Sequence, residues 1–253
     1  DRPSAAPKQA RSVPILMYHR IADDGPASLA RYRVAPDLFA AQIAALHRAG
    51  YRTVRLEQWI GAIIRNEPLP GQPIILTFDD GYQDFLTAGM PVLRHYGFSA
   101  TVFLVADRVG GVAEWDSYFG PTAPLLSWSE VRVLQEAGIE FGCHSATHLP
   151  MIGMHLAELT EQTARARGIL EKGLAAPVTA LAYPYGAENE FVRRVVANLG
   201  FQGAVSCEPG ISRLGDDLLR LPRIEVFGGC TPERLLALID GVSDKHLSDA
   251  VPA

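Results

Sequence analysis

Two adjacent carboxylates at the end of an apolar segment are the first residues in this 253-residue sequence that could do chemistry. Residues 74–78 are apolar or β-branched, which predicts a buried strand, and Asp79, Asp80 and Gly81 follow directly. Because side chains alternate along a strand, the two carboxylates should diverge, so that one can bind a metal while the other acts as a base. An Asp-Asp-Gly segment is also an ordinary turn, and the rest of the chain must decide between these interpretations.

A pair of histidines supplies the second candidate. His144 and His148 follow a predicted strand over residues 139–143, and histidines four residues apart can converge on one ion. Such a pair also arises by coincidence, because histidine is an ordinary surface residue. With one carboxylate, the two imidazoles would form a three-ligand site with room for a water molecule. Their joint occurrence with Asp-Asp-Gly at two strand ends favours a metal site.

A turn with proline and glycine is the third candidate. Pro184 fixes the backbone, and Gly186 allows a tight turn around Tyr185. Such a turn can aim the Tyr185 N–H at an oxyanion, although an ordinary connection between a strand and a loop has the same residues.

The elements that position these residues alternate between strand and helix along most of the chain. Seven or eight βα units without an internal repeat or linker predict a parallel α/β barrel, in which the chemistry lies at the carboxyl ends of the strands. We predict a flexible segment over residues 1–12, one domain over 13–241 and a tail over 242–253.

A long loop over residues 110–126 interrupts this alternation, and loops of such length are usually functional. Trp115 and Asp116 lie in this loop, where they either pack the loop or form a wall of a substrate groove.

Composition excludes several classes of protein. Hydrophobic residues make up 48% of the chain, the net charge is −5 and no basic run is present, so nucleic-acid binding is not expected. No apolar stretch approaches the ~20 residues of a membrane helix. The three scattered cysteines, Cys143, Cys207 and Cys230, form neither a disulfide framework nor a Cys-x-x-Cys site. The chain begins at Asp1 without Met, which suggests processing, as after removal of a signal peptide.

In combination and in order, these motifs resemble the polysaccharide deacetylase family, also called the NodB-homology or carbohydrate esterase family 4 domain. Residues 77–81 match its first motif, 144–148 its second and 183–186 its third, and the resemblance covers about residues 13–227. It implies a single distorted (β/α)7 barrel. It also implies a divalent metal, Zn²⁺ with Co²⁺ or Ni²⁺ as substitutes, and hydrolysis of N-acetyl groups on a polymeric sugar.

The resemblance assigns roles, and this chain departs from it in two places. It implies Asp79 as the base and Asp80, His144 and His148 as metal ligands. The arginine that the family usually has two residues before the proline of the third motif is replaced by Ala182. The late Leu-x-His motif that supplies a general acid is also absent.

Two other segments resemble the branch that contains poly-β-1,6-N-acetylglucosamine deacetylases, in which late motifs occupy earlier positions. Residues 17–19 end in His19, and residues 221–224 contain Arg223. By this resemblance His19 is the general acid, and Trp128 lines the acetyl pocket. We infer that Arg223 takes the place of the missing arginine and orients the base.

The expected activity is therefore metal-dependent N-deacetylation of an acetylated polysaccharide, with a poly-β-1,6-N-acetylglucosamine-like exopolysaccharide favoured. Chitin, peptidoglycan and O-acetylated xylan are alternative substrates, and a non-catalytic carbohydrate-binding relic is an alternative of another class. Two histidines and one carboxylate also occur in non-haem iron oxygenases, but those sites normally lie on β-sandwich scaffolds. We expect a monomer in the periplasm or outside the cell, at a bacterial envelope.

Overall fold

The computed structural model describes residues 9–241. Within this range seven parallel strands form a closed barrel. The strands are β1 Ile15–Tyr18, β2 Pro73–Phe78, β3 Thr101–Leu104, β4 Glu140–Cys143, β5 Ala180–Ala182, β6 Gly203–Pro209 and β7 Leu221–Glu225. Each strand pairs with the next along the chain, and β7 pairs with β1, so the barrel closes; the short strand Arg52–Thr53 pairs in addition with the start of β2. The predicted (β/α)7 barrel is confirmed, with a register shift between β6 and β7.

Helices surround the barrel. They are α1 Pro36–Arg48, α2 Leu56–Arg65, α3 Met90–Tyr96, α4 Trp128–Glu136, α5 Leu156–Leu174, α6 Glu190–Asn198 and α7 Pro232–Ile239. Helices α1 and α2 both lie between β1 and β2, whereas β6 continues to β7 without an α-helix. Helix α4 begins at a capping box, because the Glu130 N–H donates to Ser127 Oγ and the Glu130 carboxylate accepts from the Ser127 N–H.

Alternate strand residues belong to two separate apolar clusters. Ile75 of β2 packs in one cluster with residues of the other strands and with Trp59 of α2, whose indole N–H donates to Ser212 Oγ at 2.8 Å. Leu76, the next residue, belongs to the other cluster, which includes residues of α1, α5 and α7. This alternation follows from the twofold period of a strand, and β2 is buried along its whole length, as expected for a parallel sheet.

Short antiparallel strands lie at the chain's first described residues. Gln9–Ala10 pairs with Leu69–Pro70, and Ser12–Val13 pairs with Ser212–Arg213, so residues 9–12 of the predicted flexible segment contain paired backbone. Residues 1–8 of that segment and the predicted tail over 242–253 lie outside the described residues. Across residues 9–241, none of the helices has the length and apolar character that crossing a bilayer requires.

Candidate active site

The residues singled out in the sequence meet at one end of the barrel. Asp79 and Asp80 follow β2, His144 follows β4, Tyr185 follows β5 and His19 follows β1. Because all seven strands are parallel, their carboxyl ends share this end. These five residues line a common cavity of about 530 Å³. The fold thus brings together residues that are more than 160 positions apart in the sequence.

Asp80, His144 and a further cavity residue, His148, converge as a metal-binding set would. Asp80 Oδ1 lies 3.2 Å from His144 Nε2 and 3.0 Å from His148 Nε2. The three candidate ligand atoms lie within 4.8 Å of one another, and all three residues are buried. One carboxylate and two imidazoles match the three-ligand sites of catalytic zinc proteins, which keep a position for water.

Hydrogen bonds on the far side of each imidazole orient its Nε2 atom. His144 Nδ1 lies 2.8 Å from the Ala182 carbonyl, which can only accept, so Nδ1 carries the proton and a neutral His144 turns its Nε2 lone pair toward Asp80. His148 Nδ1 lies 3.1 Å from Tyr185 Oη. Asp80 Oδ1 is buried and receives no hydrogen bond within residues 9–241. A carboxylate oxygen this close to two imidazole nitrogens is stabilised by a proton or a metal ion between them, and the three residues fit a divalent metal.

The pKa of Asp80 agrees with a role as a metal ligand. Burial by itself raises the pKa of the Asp80 carboxyl group, but the adjacent imidazoles of His148 and His144 outweigh burial and hold that pKa well below its usual range. Asp80 is therefore ionised at neutral pH, as a metal ligand must be.

Unusual backbone conformations explain how neighbouring residues reach different partners. Left-handed φ angles outside glycine are costly and are retained where the surrounding structure enforces them. Four such residues lie in the three loops of the site: Asp80 (φ 72°), Ser145 (61°), His148 (65°) and Tyr185 (58°). At Asp80 this turn separates the carboxylate from that of Asp79, so the predicted divergence of the two acids is present.

Asp79 lies against Arg223 of β7. Arg223 Nη1 and Nη2 donate to the two carboxylate oxygens of Asp79, each at 2.8 Å, in a buried bidentate pair. Arg223 is itself held by Thr77 Oγ1 at 3.0 Å and the Ser206 carbonyl at 2.9 Å. Burial raises the pKa of Asp79, but the charge and hydrogen bonds of Arg223 outweigh it and lower that pKa. The predicted contact is present, and the role assigned to Arg223 stays a prediction.

Trp128 and Trp115, both considered in the sequence, lie in different surroundings. Trp128 is the first residue of α4, and its ring packs so closely on Gly173 of α5 that a Cβ there would lie 2.1 Å from it. Trp128 is not among the residues that line this cavity, and its place at an acetyl pocket stays a prediction. Trp115 lines the cavity and stacks on His148, with ring centroids 4.3 Å apart.

Sequence reasoning missed several residues of the cavity wall. Tyr82 Oη donates to Asp116 Oδ2 at 2.6 Å, which ties the residue after the first motif to the long loop. Burial raises the pKa of Asp116, although this hydrogen bond acts in the opposite direction. Cys207 Sγ lies 3.8 Å from Met17 Sδ, and both residues line the cavity. Trp115 and Asp116 of the long loop had been considered as a groove wall, and the position of Tyr82 directly after Gly81 was a further signal.

His19 lines the same cavity as Asp79 and Asp80, and it is partly buried. Its ring lies edge-on to Tyr32, with centroids 5.1 Å apart. The imidazole is therefore in the cleft where a proton donor is needed, and its assignment as the acid stays a prediction.

Comparison with known proteins agrees with the fold and the site. The sequence profile of the polysaccharide deacetylase family matches residues 66–204, which is more than half of the chain, and this protein belongs to that family. The structure of the Streptococcus pyogenes deacetylase PplD, determined with acetate, is similar with a TM-score of 0.79. PplD is 28% identical in sequence, and the match covers 90% of this chain and 97% of PplD.

Two curated relatives extend the comparison. YxkH of Bacillus subtilis is 25% identical over 91% of this chain and 77% of its own length. The poly-β-1,6-N-acetyl-D-glucosamine N-deacetylase of Escherichia coli is 29% identical over 51% of this chain, which corresponds to 20% of the longer protein. The family makes this chain a hydrolytic deacetylase, whereas its substrate has to be argued from the site.

Proposed function

We propose that this protein is a metal-dependent N-deacetylase of a polymeric amino sugar. The observation that carries the proposal is the buried Asp80 Oδ1, which faces the Nε2 atoms of His144 and His148 at 3.2 and 3.0 Å without a hydrogen bond among the described residues. Beside it, Asp79 is a buried carboxylate held by Arg223. Three candidate metal ligands next to a separate, ionised base are suited to metal-assisted hydrolysis of an unactivated amide.

The proposed reaction uses each side chain at a stated atom. Asp80, His144 and His148 would hold a divalent cation, which would supply Lewis acidity and lower the pKa of a water molecule. Asp79 takes the proton from the attacking water, whose oxygen forms a bond to the acetyl carbon. The N–H of Tyr185 is our candidate donor to the oxyanion that develops there.

His19 completes the proposed reaction. As the imidazolium it gives its proton to the amide nitrogen while the C–N bond breaks, which releases acetate and a free amine. An amine is a poor leaving group without this proton, so the presence of His19 in the cavity favours N-acetyl over O-acetyl substrates.

We propose a poly-β-1,6-N-acetylglucosamine-like polymer as the favoured substrate and Zn²⁺ as the metal. Support for the polymer comes from the named activity of the Escherichia coli relative, and support for Zn²⁺ comes from the mixed nitrogen and oxygen ligands. A monomeric enzyme at a bacterial envelope, in the periplasm or outside the cell, agrees with a polymer that lies outside the cytoplasm.

Metal dependence is the first test. Acetate release should be measured on poly-β-1,6-N-acetylglucosamine, chitin oligomers, peptidoglycan and acetylated xylan, before and after removal of metal with a chelator. We expect activity to be lost in the metal-free protein and restored by Zn²⁺ or Co²⁺. His148→Ala should lose zinc affinity together with rate, because it removes one of three ligands.

The exposed His95 of α3 provides the matched control, since it lies outside the cavity. His95→Ala should keep both zinc and activity. Full acetate release by protein shown to contain no metal would contradict the proposed site.

His19→Ala tests the assignment of the acid. We expect this variant to keep its metal and to lose about 10²–10⁴-fold in kcat/KM on an N-acetyl oligosaccharide. An aryl acetate, whose leaving group needs no proton, should lose much less. Equal losses on the two substrates would mean that His19 is structural, and the His95→Ala variant again serves as the control.

A further inference from the structure

Two arginines meet at one end of the cavity. Arg20 and Arg33 are paired residues of two short parallel strands, Arg20–Ile21 and Arg33–Val34, and both line the cavity. Their Nη1 atoms lie 3.0 and 2.6 Å from the point that a Cβ on Gly25 would occupy, so the two guanidinium groups converge on one place. Like charges this close repel each other unless an anion lies between or beside them.

The two guanidinium groups differ in their partners. Arg20 Nε forms an ion pair with Asp84 Oδ2 at 2.8 Å, and both side chains are largely buried, while Arg20 Nη2 lies 3.7 Å from the carboxylate of the exposed Asp24. Arg33 Nη1 donates to the Pro26 carbonyl at 3.2 Å, and no carboxylate within residues 9–241 lies at ion-pair distance from Arg33. Arg33 is partly buried, so water screens its charge less than at an open surface.

The carboxylates that line the cavity already have other partners. Asp79 is held by Arg223, Glu225 accepts two hydrogen bonds from Arg31 at 2.9 and 2.7 Å, and Asp116 accepts from Tyr82. Asp80 faces the two histidines. The charge of Arg33 is therefore the one along this wall, among the described residues, that no neighbouring carboxylate balances.

We propose that Arg33, supported by Arg20, is a subsite for an anionic group of the substrate. The ligand is a carboxylate or a phosphate on, or next to, the acetylated sugar, because a guanidinium fork binds both groups with two parallel hydrogen bonds. Tyr32, the neighbour of Arg33, contacts the ring of His19, so the subsite adjoins the proposed proton donor. This inference rests on the proposed function and narrows it to a polysaccharide that carries negative charge.

The test compares charged and neutral forms of one substrate. The first series uses oligosaccharides that alternate N-acetylglucosamine and glucuronic acid, and the same oligosaccharides with the carboxylates reduced to alcohols. The second uses β-1,6-linked N-acetylglucosamine oligomers with and without one phosphodiester. We expect kcat/KM to favour the charged form about tenfold in at least one series, mainly through KM, and the preference to shrink as salt is raised. The series that responds identifies carboxylate or phosphate.

Arg33→Gln should remove the preference by raising KM for the charged form about tenfold. Arg65→Gln is the matched control, because Arg65 is exposed, pairs with Glu67 and lies outside the cavity, and it should keep the preference. No preference in either series, a preference that survives Arg33→Gln, or equal losses on both forms would overturn the proposal. Equal losses would show that Arg33 holds the Pro26 turn instead. Deacetylation of the neutral oligomers tests the proposed function separately.

Discussion

Replacing Asp79 by Asn is expected to lower kcat/KM for deacetylation by about 10²–10⁴-fold while metal binding persists. The amide has nearly the same shape as the carboxylate but cannot take a proton from water. Asp80, His144 and His148 would remain as ligands, because Asp79 bonds to Arg223 and is not a member of the converging set. Acetate release and zinc content should be measured on the same preparation.

Asp80→Asn is the natural comparison for this variant. It should lose metal affinity, because Asp80 Oδ1 is the carboxylate atom that faces both histidines. The opposite pattern, in which Asp79→Asn loses zinc and Asp80→Asn keeps it, would require the base and the ligand to be exchanged.

Arg223→Met is expected to reduce the free energy of unfolding by about 3–5 kcal/mol in the metal-free protein, because it leaves a buried carboxylate without its partner. Asp79 and Arg223 are only 3% and 0% exposed at their side chains, so water cannot replace the lost contacts. Methionine retains most of the apolar stem of arginine, which limits the effect to the lost charge and hydrogen bonds. Chemical denaturation at pH 7 measures this change.

The destabilisation should depend on pH with a defined sign. In the native protein the pKa of Asp79 is lowered, so the pair contributes stability that is present above the ordinary pKa of about 3.9 and is lost as pH falls through the lowered value. In Arg223→Met, burial still raises the pKa of Asp79 but the arginine that lowers it is gone, so Asp79 can take up a proton in mild acid. The difference between the two proteins should therefore be largest near neutral pH and should shrink toward pH 4.

Two controls separate the pair from general effects of substitution. The double variant with Asp79→Asn and Arg223→Met should be less destabilised than the sum of the single variants, because removing both partners leaves no buried charge. Arg65→Met breaks the exposed pair with Glu67 and should have little effect. Additive single effects would contradict a coupled buried pair.

The local sequence was sufficient to predict the main strands and helices and the chain positions of the candidate site residues. The apolar run before Asp79 is a strand buried on both faces, and the sequence offered Ser127 or Ser129 as the cap of α4, of which Ser127 is the one observed. The alternation of strands and helices gave the barrel, because parallel strands need helical crossovers. A barrel then places every strand end on one rim, so the three motifs had to meet.

Contacts between distant segments depended on tertiary structure. Arg223 could be suggested as a partner for Asp79, but only the closure of β7 onto β1, which itself pairs with β2, brings the two side chains together. The divergence of Asp79 and Asp80 depends on a left-handed φ at Asp80, a conformation that no residue type at that position specifies. Such conformations persist because surrounding contacts enforce them.

Trp115 and Trp128 show most clearly that sequence alone does not reveal which residues contact each other in the fold. The two tryptophans lie close together in the sequence, in and directly after the long loop, and residue type alone cannot tell which one lines the cavity. Trp128 packs on Gly173, where the absence of a side chain leaves room for its ring, and Trp115 stacks on His148. The sequence by itself determined the barrel and the positions of the candidate metal ligands and the candidate base. The walls of the cavity were decided by packing between helices and loops, because the shape of a neighbouring surface is not encoded in local periodicity.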